Sequence, residues 1–332
     1  MPSGQARYRI AVLDDYQNVA RTMADWSVLD SWATVTVFND HLTETDAIVA
    51  RLQPFDIICI MRERTPMTRA IIERLPKLRL IASTGPVNAA IDQAAVRQRG
   101  IQVMHTGYSA TPTVELTWAL ILASTRNLIA ENASLREGGW QRFVGNDLSH
   151  RTLGVLGLGR IGSEVARIGH AFGMHVIAWS PNLTTERAER GGAEWVPKDD
   201  LFREADIVTL HLVLSDRTRG LVGARELALM KPTARLVNTS RGPLVVEKDL
   251  LHALENETIA GAAIDVFDQE PLPADHPFRR LKNLLATPHI GYVSQALYAR
   301  FYGDCVNNIL RWLESGGSRS TAQTLGQQEK DG

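Results

Sequence analysis

Short apolar runs alternate with helical patterns along the first hundred residues of the chain. Ile, Val and Leu dominate the runs with little polar alternation, which is typical of strands buried on both faces of a parallel sheet. Between the runs, apolar residues at helical spacing predict helices at about 44–52, 68–75 and 91–99. The predicted strands of this region are residues 9–13, 34–38, 56–61, 78–83 and 101–104.

One face of a longer helical pattern, which starts near residue 112, carries Leu116, Leu120 and Ala123. Trp118 lies beside this face and Trp140 beyond it, and two explanations stay open: burial inside the monomer, or a subunit interface. Three glycines between residues 138 and 145 then interrupt the pattern and predict an exposed arm or connection.

A second series of strands and helices begins at residue 152. Two parallel α/β domains are the simplest interpretation, each a doubly wound sheet of Rossmann-like or flavodoxin-like type. The polar tail after residue 315 is expected to be disordered. The predicted strands of the second series are 152–156, 174–179, 207–212, 235–239, 259–266 and 284–287, with helices at 161–172 and 295–314.

Length and charge narrow the class of protein. A chain of 332 residues with 44% hydrophobic residues has enough apolar side chain for two domains. Because 36 basic residues face 37 acidic ones and no basic arm is present, nucleic acid is not expected as a partner. The longest apolar stretch, residues 116–123, is far shorter than a membrane span. Cys59 and Cys305 cannot form a disulfide framework, and without a signal-peptide pattern they predict a cytoplasmic protein.

The most informative motif is a glycine turn between a predicted strand and a predicted helix. It reads Gly157-Leu158-Gly159-Arg160-Ile161-Gly162. In this context the first glycine allows a tight turn, the second lets the backbone approach a diphosphate, and the third lets the helix pack closely on the strand. The turn therefore predicts a dinucleotide site that includes Arg160 and Ile161, whose helix directs its N–H groups at the anion.

The coenzyme itself is left open by the next strand. NAD-specific folds place an acidic residue about twenty positions after the glycine turn, to bind the ribose 2′-hydroxyl. Here the sequence reads Ala178-Trp179-Ser180-Pro181-Asn182, with no carboxylate. Ser180 would not repel a 2′-phosphate, and the nearest following arginine is Arg187. NAD and NADP both remain candidates.

Three polar residues late in the chain suit the reduction of a 2-oxo acid. Arg241 offers a permanently charged, planar guanidinium for the substrate's carboxylate and carbonyl oxygens. His289 can donate a proton in reduction and accept it in oxidation. Glu270 can orient that imidazole and stabilise its protonated form. Taken singly, each residue also fits an ordinary turn or solvated loop, so the hypothesis depends on all three occurring together.

Four segments together resemble the D-isomer-specific 2-hydroxyacid dehydrogenase family. They are the glycine turn, Asn238-Thr239-Ser240-Arg241-Gly242, Asp265-Val266-Phe267-Asp268-Gln269-Glu270-Pro271 and Thr287-Pro288-His289-Ile290-Gly291. Their order and approximate spacing match the family. The resemblance implies a substrate-binding domain at 1–104 and 292–332, a dinucleotide-binding domain at 105–291, and an active site in the cleft between them.

The resemblance also extends the list of site residues. It assigns the catalytic roles to Arg241, Glu270 and His289, places Thr239 at the coenzyme, and has Asp265 orient the nicotinamide carboxamide, for which a turn cap is the competing interpretation. A substrate loop follows the fourth predicted strand, where relatives bind the carboxylate through backbone N–H groups; Pro86 lacks one. The expected substrate-binding residues there are Thr84, Gly85 and Asn88.

The chain is predicted to be an NAD(P)-dependent oxidoreductase that interconverts a D-2-hydroxy acid and its 2-oxo acid, similar to hydroxypyruvate and glyoxylate reductases. It is also predicted to form a homodimer. Two alternatives are a formate dehydrogenase, although those pair the histidine with glutamine, and a dinucleotide-sensing interaction protein of the corepressor type. Tyr292 either reshapes the pocket or packs as an ordinary aromatic residue. No metal is expected, because the histidines lack ligand spacing.

Overall fold

The computed structural model describes residues 8–317, which form two compact units. One unit contains the described residues up to Ser109 together with those from Ser294 onward, and the other runs from Ala110 to Val293. Each unit is built on its own parallel sheet, so the predicted fold class of two parallel-sheet α/β domains is confirmed. The predicted disordered tail lies, from residue 318 on, outside the described residues.

The first unit has five parallel strands in the order β2-β1-β3-β4-β5. This is a doubly wound order in which the chain changes direction beside β1. The strands are β1 Tyr8–Val12, β2 Ala33–Val37, β3 Ile57–Ile60, β4 Leu80–Ser83 and β5 Gln102–His105. The helices between them are α1 Ala20–Met23, α2 Thr45–Leu52, α3 Arg69–Ile72 and α4 Gln93–Gln98, with a 3-10 helix at Trp26–Leu29.

The long helix Gln295–Glu314 returns to the first unit, as the sequence suggested. It begins at Ser294, whose hydroxyl accepts a hydrogen bond from the Leu297 N–H at 3.3 Å. Its apolar face, which includes Phe301 and Ile309, is fully buried.

The second unit has seven parallel strands in the order β12-β11-β10-β9-β6-β7-β8. Chain direction reverses between β6 and β9, which is where open α/β sheets bind ligands. The strands are β6 Thr152–Leu156, β7 His175–Trp179, β8 Glu194–Trp195, β9 Ile207–Leu210, β10 Arg235–Asn238, β11 Gly261–Ile264 and β12 Leu284–Ala286. The helices of this unit are α5 Thr111–Thr125, α6 Leu128–Arg136, α7 Arg160–Ala171, α8 Thr185–Arg190, α9 Lys198–Glu204, α10 Ala224–Leu229 and α11 Glu247–Glu255. The long helix of the first unit, Gln295–Glu314, is α12.

Burial inside the unit explains part of the helical face that the sequence left open. Trp118 and Leu120 of α5 are buried in the second unit's own core, where Leu153 and Val155 of β6 also lie. Leu116 and Ala123 of the same face are half-buried, so a subunit interface there stays a prediction. Six exposed apolar residues lie further along, on α6 and in the irregular segment 140–144. Within residues 8–317, no helix combines the length and apolarity that crossing a bilayer requires.

Candidate active site

The predicted functional residues of the second unit lie on loops at one edge of its sheet. Because all seven strands are parallel, the loops that follow β6, β9, β10, β11 and β12 leave the same edge. The glycine turn follows β6, Arg241 follows β10, Asp265 and Glu270 follow β11, and His289 follows β12. Since β10, β11 and β12 are direct neighbours, the loops that carry Arg241, Glu270 and His289 are adjacent.

The surroundings of the three glycines of the turn match what the dinucleotide motif predicts. Gly157 has φ +99°, and a Cβ there would lie 2.8 Å from the carbonyl carbon of His211. A Cβ on Gly162 would lie only 2.0 Å from the Gly157 oxygen, so this glycine lets α7 pack closely on β6. By contrast, a Cβ on Gly159 would meet nothing within 4 Å. The backbone there is open to an approaching diphosphate at the start of a three-turn helix.

The other predicted coenzyme residues have different surroundings. Arg160, the first residue of α7, is exposed, whereas Ile161 is half-buried against the core. Ser180 is half-buried immediately after β7. Thr239 is buried, and its hydroxyl forms a 2.8 Å hydrogen bond with the Thr117 hydroxyl of α5.

His289 and Glu270 form a direct pair. The His289 Nδ1 lies 2.5 Å from the Glu270 Oε2, and the two side chains are 25% and 34% exposed. The other carboxylate oxygen of Glu270 accepts a hydrogen bond from the Phe267 N–H at 2.9 Å, which fixes the carboxylate in its loop. Because a carboxylate only accepts hydrogen bonds, Nδ1 carries the proton, and Nε2 is the ring nitrogen left for proton exchange.

Asp265 organises the loop that presents the imidazole. It is fully buried, and its Oδ1 accepts hydrogen bonds from the Thr287 hydroxyl at 2.6 Å and the Ile290 N–H at 2.8 Å. Its Oδ2 accepts one from the Gly291 N–H at 2.7 Å. Burial raises the pKa of Asp265, and the hydrogen bond from Thr287 opposes that rise. These bonds hold His289 at φ +52°, a conformation that non-glycine residues rarely adopt.

Close backbone packing brings the Arg241 loop against the Glu270 loop. A Cβ on Gly242 would lie 2.1 Å from the carbonyl carbon of Phe267, so only glycine fits here. The Asn238 side chain donates a 2.9 Å hydrogen bond to the Arg241 carbonyl and thereby closes the turn after β10. The structure thus joins the three predicted catalytic loops.

Tyr292 packs against the imidazole. Its ring centroid lies 5.3 Å from that of His289 in an edge-to-face arrangement, and the tyrosine is buried. Nearby, the Thr113 hydroxyl of α5 donates a 3.0 Å hydrogen bond to the Gly291 carbonyl. The histidine is therefore held by packing as well as by hydrogen bonds.

The predicted substrate loop lies in the first unit and is internally bonded. The buried Thr84 hydroxyl accepts a 2.7 Å hydrogen bond from the Arg62 N–H, and the Asn88 amide donates one of 2.6 Å to the Arg62 carbonyl. Gly85, at φ +84°, donates its N–H to the Thr106 hydroxyl at 2.7 Å. The side chains of Thr84 and Asn88 therefore hold the loop in shape.

Arg62 is the residue that the sequence reasoning missed. Its guanidinium packs over Gly85, where a Cβ would lie 1.7 Å from Nη1, and 5.7 Å from the Tyr108 ring. Its side chain is 13% exposed, and Nη1 is buried without a hydrogen-bond partner among the described residues. Its Nη2 lies 3.4 Å from the Glu63 Oε1, so the unsatisfied group is Nη1 alone, and a buried donor without a partner is costly. The available signal was its place two residues after the apolar strand β3.

With this geometry established, comparison with known proteins decides the family. Residues 118–291 match the model of the NAD-binding domain of D-isomer-specific 2-hydroxyacid dehydrogenases. The chain belongs to this family. The resemblance expected from the four sequence segments is therefore confirmed.

Relatives and a solved structure extend the match beyond that domain. A hydroxypyruvate reductase from Thermotoga maritima is 34% identical over 93% of this chain and 99% of its own length. A crystallised phosphoglycerate oxidoreductase from Vibrio cholerae O395 has a TM-score of 0.88 at 38% identity, covering 93% of this chain and 99% of that one. A D-3-phosphoglycerate dehydrogenase from Methanocaldococcus jannaschii is 40% identical over 74% of this chain, and the chain spans about half, 47%, of that protein.

Membership of the 2-hydroxyacid dehydrogenase family makes the fit of a nicotinamide dinucleotide the relevant test. The open backbone at Gly159 and the crowded glycines on either side of it suit a diphosphate. The residues present therefore fit the coenzyme that the family name implies. The individual site roles stay predictions.

Proposed function

We propose that this chain is an NAD(P)-dependent oxidoreductase that interconverts a D-2-hydroxy acid and its 2-oxo acid, with glyoxylate and hydroxypyruvate among the substrates to test first. The observation that carries the proposal is the 2.5 Å pair of His289 and Glu270, on loops at the same sheet edge as the glycine turn. An acid–base histidine beside a dinucleotide site is what hydride transfer to a carbonyl requires.

His289 carries the proton of the proposed reaction. In reduction its Nε2 donates a proton to the substrate's carbonyl oxygen, and in oxidation it takes the proton back. Glu270 keeps the tautomer fixed and stabilises the imidazolium when it forms. The nicotinamide coenzyme, when bound, supplies or accepts the hydride.

Arg241 holds the substrate in this proposal. Its guanidinium binds the carboxylate and polarises the carbonyl, because it presents several donors in one plane and keeps its charge at all working pH values. Thr84, Gly85 and Asn88 complete the carboxylate site through their loop. This assigns residues 1–104 and 292–332 to substrate binding and 105–291 to the coenzyme. Asp265 and Thr239 are assigned to coenzyme binding.

The test is turnover by the purified full chain. We expect oxidation of NADH or NADPH with at least one member of a panel of 2-oxo acids. His289→Ala should lower kcat by about a thousandfold, because it removes the general acid, while the Kd of the coenzyme stays within about twofold of wild type. His252→Ala, which removes an exposed histidine of α11, is the matched control and should leave both quantities unchanged.

Two outcomes would contradict the proposal. No turnover across the panel with either coenzyme would favour a dinucleotide-sensing interaction protein, and carbon dioxide release from formate would favour a formate dehydrogenase. An equal loss of kcat and coenzyme affinity in His289→Ala would make this residue structural rather than catalytic.

We also propose that the chain forms a homodimer. The support is an apolar patch on the second unit, which consists of Leu128, Ile129, Leu135, Trp140, Phe143 and Val144. Val144 is 96% and Trp140 74% exposed, and the N–H groups of Arg142 and Phe143 bond the Glu131 carboxylate, which holds this segment against α6. Exposed apolar side chains grouped in this way are typical of an interface. The cytoplasmic location stays a prediction.

A further inference from the structure

The end of β7 is tied to the glycine turn, so the residues that follow it face the coenzyme region. The Gly157 N–H donates a 2.9 Å hydrogen bond to the Trp179 carbonyl. In dinucleotide folds the position just after this strand lies at the adenosine ribose, where a carboxylate selects NAD by binding the 2′-hydroxyl and repelling a 2′-phosphate. Residues 180–185 contain no aspartate or glutamate. The usual barrier to a 2′-phosphate is missing.

A guanidinium lies beside the same segment. Arg187 of α8 directs its Nη1 back to the Asn182 carbonyl at 3.5 Å, which places the positive charge next to the loop that follows Ser180. The side chain is otherwise exposed, so the charge is available to a ligand. Ser180 adds a half-buried hydroxyl at the start of the loop.

Helix α8 is fixed against the glycine turn and α7. Gly191, just after α8, contacts Leu158 of the turn so closely that a Cβ there would lie 2.5 Å from Leu158 Cδ2. His170 of α7 bonds the Gly192 carbonyl through Nε2 at 2.6 Å. The position of Arg187 beside the predicted ribose site is therefore set by packing.

One carboxylate near this segment is already engaged. Glu186 accepts a hydrogen bond from the Thr184 hydroxyl, which keeps its pKa below the usual range. The same hydroxyl accepts from the Arg187 N–H at 3.3 Å, so both contacts belong to the first turn of α8. Arg190, on the next turn, donates to the Glu186 carbonyl at 3.3 Å. The Glu186 carboxylate is thus ionised and bonded within the first turn of α8, while the Arg187 guanidinium reaches the loop.

We propose that Ser180 and Arg187 bind the 2′-phosphate of NADP(H), and that this chain prefers NADP(H) to NAD(H). The inference rests on the proposed function, which requires a nicotinamide coenzyme but leaves its type open. Arg187 supplies the charge-assisted contact and Ser180 a hydrogen bond, and the missing carboxylate removes the repulsion.

Isothermal titration calorimetry on the full chain, with NADPH and NADH as separate ligands, tests this without turnover. We expect NADPH to bind more tightly, and Arg187→Ala to weaken NADPH about tenfold, the equivalent of about 1.4 kcal/mol, while NADH stays within about twofold. Arg190→Ala, three residues along the same helix, is the matched control and should change neither affinity. The NADPH affinity should also fall more steeply with added salt than the NADH affinity.

A second variant, Ser180→Asp, tests the inference independently of any folding defect in Arg187→Ala. Ser180→Asp restores a carboxylate after β7 and should reverse the preference by weakening NADPH while preserving or improving NADH binding. Tighter binding of NADH by the wild type, or equal losses of both coenzymes in Arg187→Ala, would overturn the inference. Binding of neither coenzyme would instead overturn the proposed function and the inference with it.

Discussion

At the residue scale, Arg62 gives the most direct indication of a ligand, because burying a hydrogen-bond donor without a partner costs free energy. Its Nη1 is buried without a partner among the described residues, although its backbone is tied to Thr84 and Asn88. Such a donor normally finds a carboxylate or a water. Its place beside Gly85 suggests that an anionic group of the substrate satisfies it.

Replacement of this guanidinium tests that reading. Arg62→Met keeps much of the side-chain volume but removes the charge, so we expect the KM for the 2-oxo acid to rise about tenfold or more with little change in coenzyme Kd. Arg51→Met removes an arginine that pairs with Asp40 in the same unit, and it should leave KM unchanged. An unchanged KM in Arg62→Met would mean that the substrate does not reach this guanidinium.

Sequence reasoning at this scale recovered the residues whose chemistry is unusual and missed those defined by their surroundings. Gly157, Glu270 and His289 stand in motifs, so spacing was enough to select them. The burial of Arg62 depends on the left-handed turn at Gly85, which is far away in sequence. The three donors to Asp265 likewise come from the loop after the next strand. No local pattern records such contacts.

At the scale of secondary-structure elements, apolar runs predicted the sheets well but extended some strands too far. The run 259–266 corresponds to β11 Gly261–Ile264, because the residues after it stay buried while leaving the strand ladder. Asp265 is buried there in order to hold the His289 loop. Hydropathy reports burial and does not report strand pairing. The short helices α8 to α11 were not predicted, because six to nine residues show too little helical periodicity.

Also at the element scale, the contact between the Arg241 and Glu270 loops at Gly242 leaves no room for a side chain. In Gly242→Ala the new methyl group would overlap the Phe267 carbonyl, so the Arg241 and Glu270 loops must separate. We expect a loss of about 1–3 kcal/mol in the free energy of unfolding and a larger fractional loss of kcat/KM. Urea denaturation and steady-state kinetics measure the two effects.

Gly303→Ala is the matched control, since this glycine lies inside α12 and a Cβ there would meet nothing within 4 Å. We expect it to stabilise the chain by about 0.5–1 kcal/mol, because alanine favours a helix interior. Wild-type stability and kinetics in Gly242→Ala would show that the two loops tolerate separation and would remove this support for a joined site.

At the scale of the whole molecule, the alternation of strands and helices predicted the two parallel-sheet units, whereas the sequence left the surface for association open. On the α5 face, Trp118 and Leu120 are buried with β6 in the second unit's core, while Leu116 and Ala123 are half-buried. Six exposed apolar side chains belong to α6 and residues 140–144, where they stand among polar residues in the sequence. Only the fold separates the buried face from the exposed patch.

The apolar patch makes a prediction about assembly. Size-exclusion chromatography with light scattering should give the wild-type chain about twice its 36.7 kDa monomer mass. The double change Trp140→Ser and Val144→Asp places polar groups where the patch would be buried, so it should shift the mass to that of the monomer. Val28→Asp, at a 44% exposed valine of the first unit, is the control and should remain dimeric. A monomeric wild type, or a doubly changed chain that stays dimeric, would mean that this patch does not join two copies.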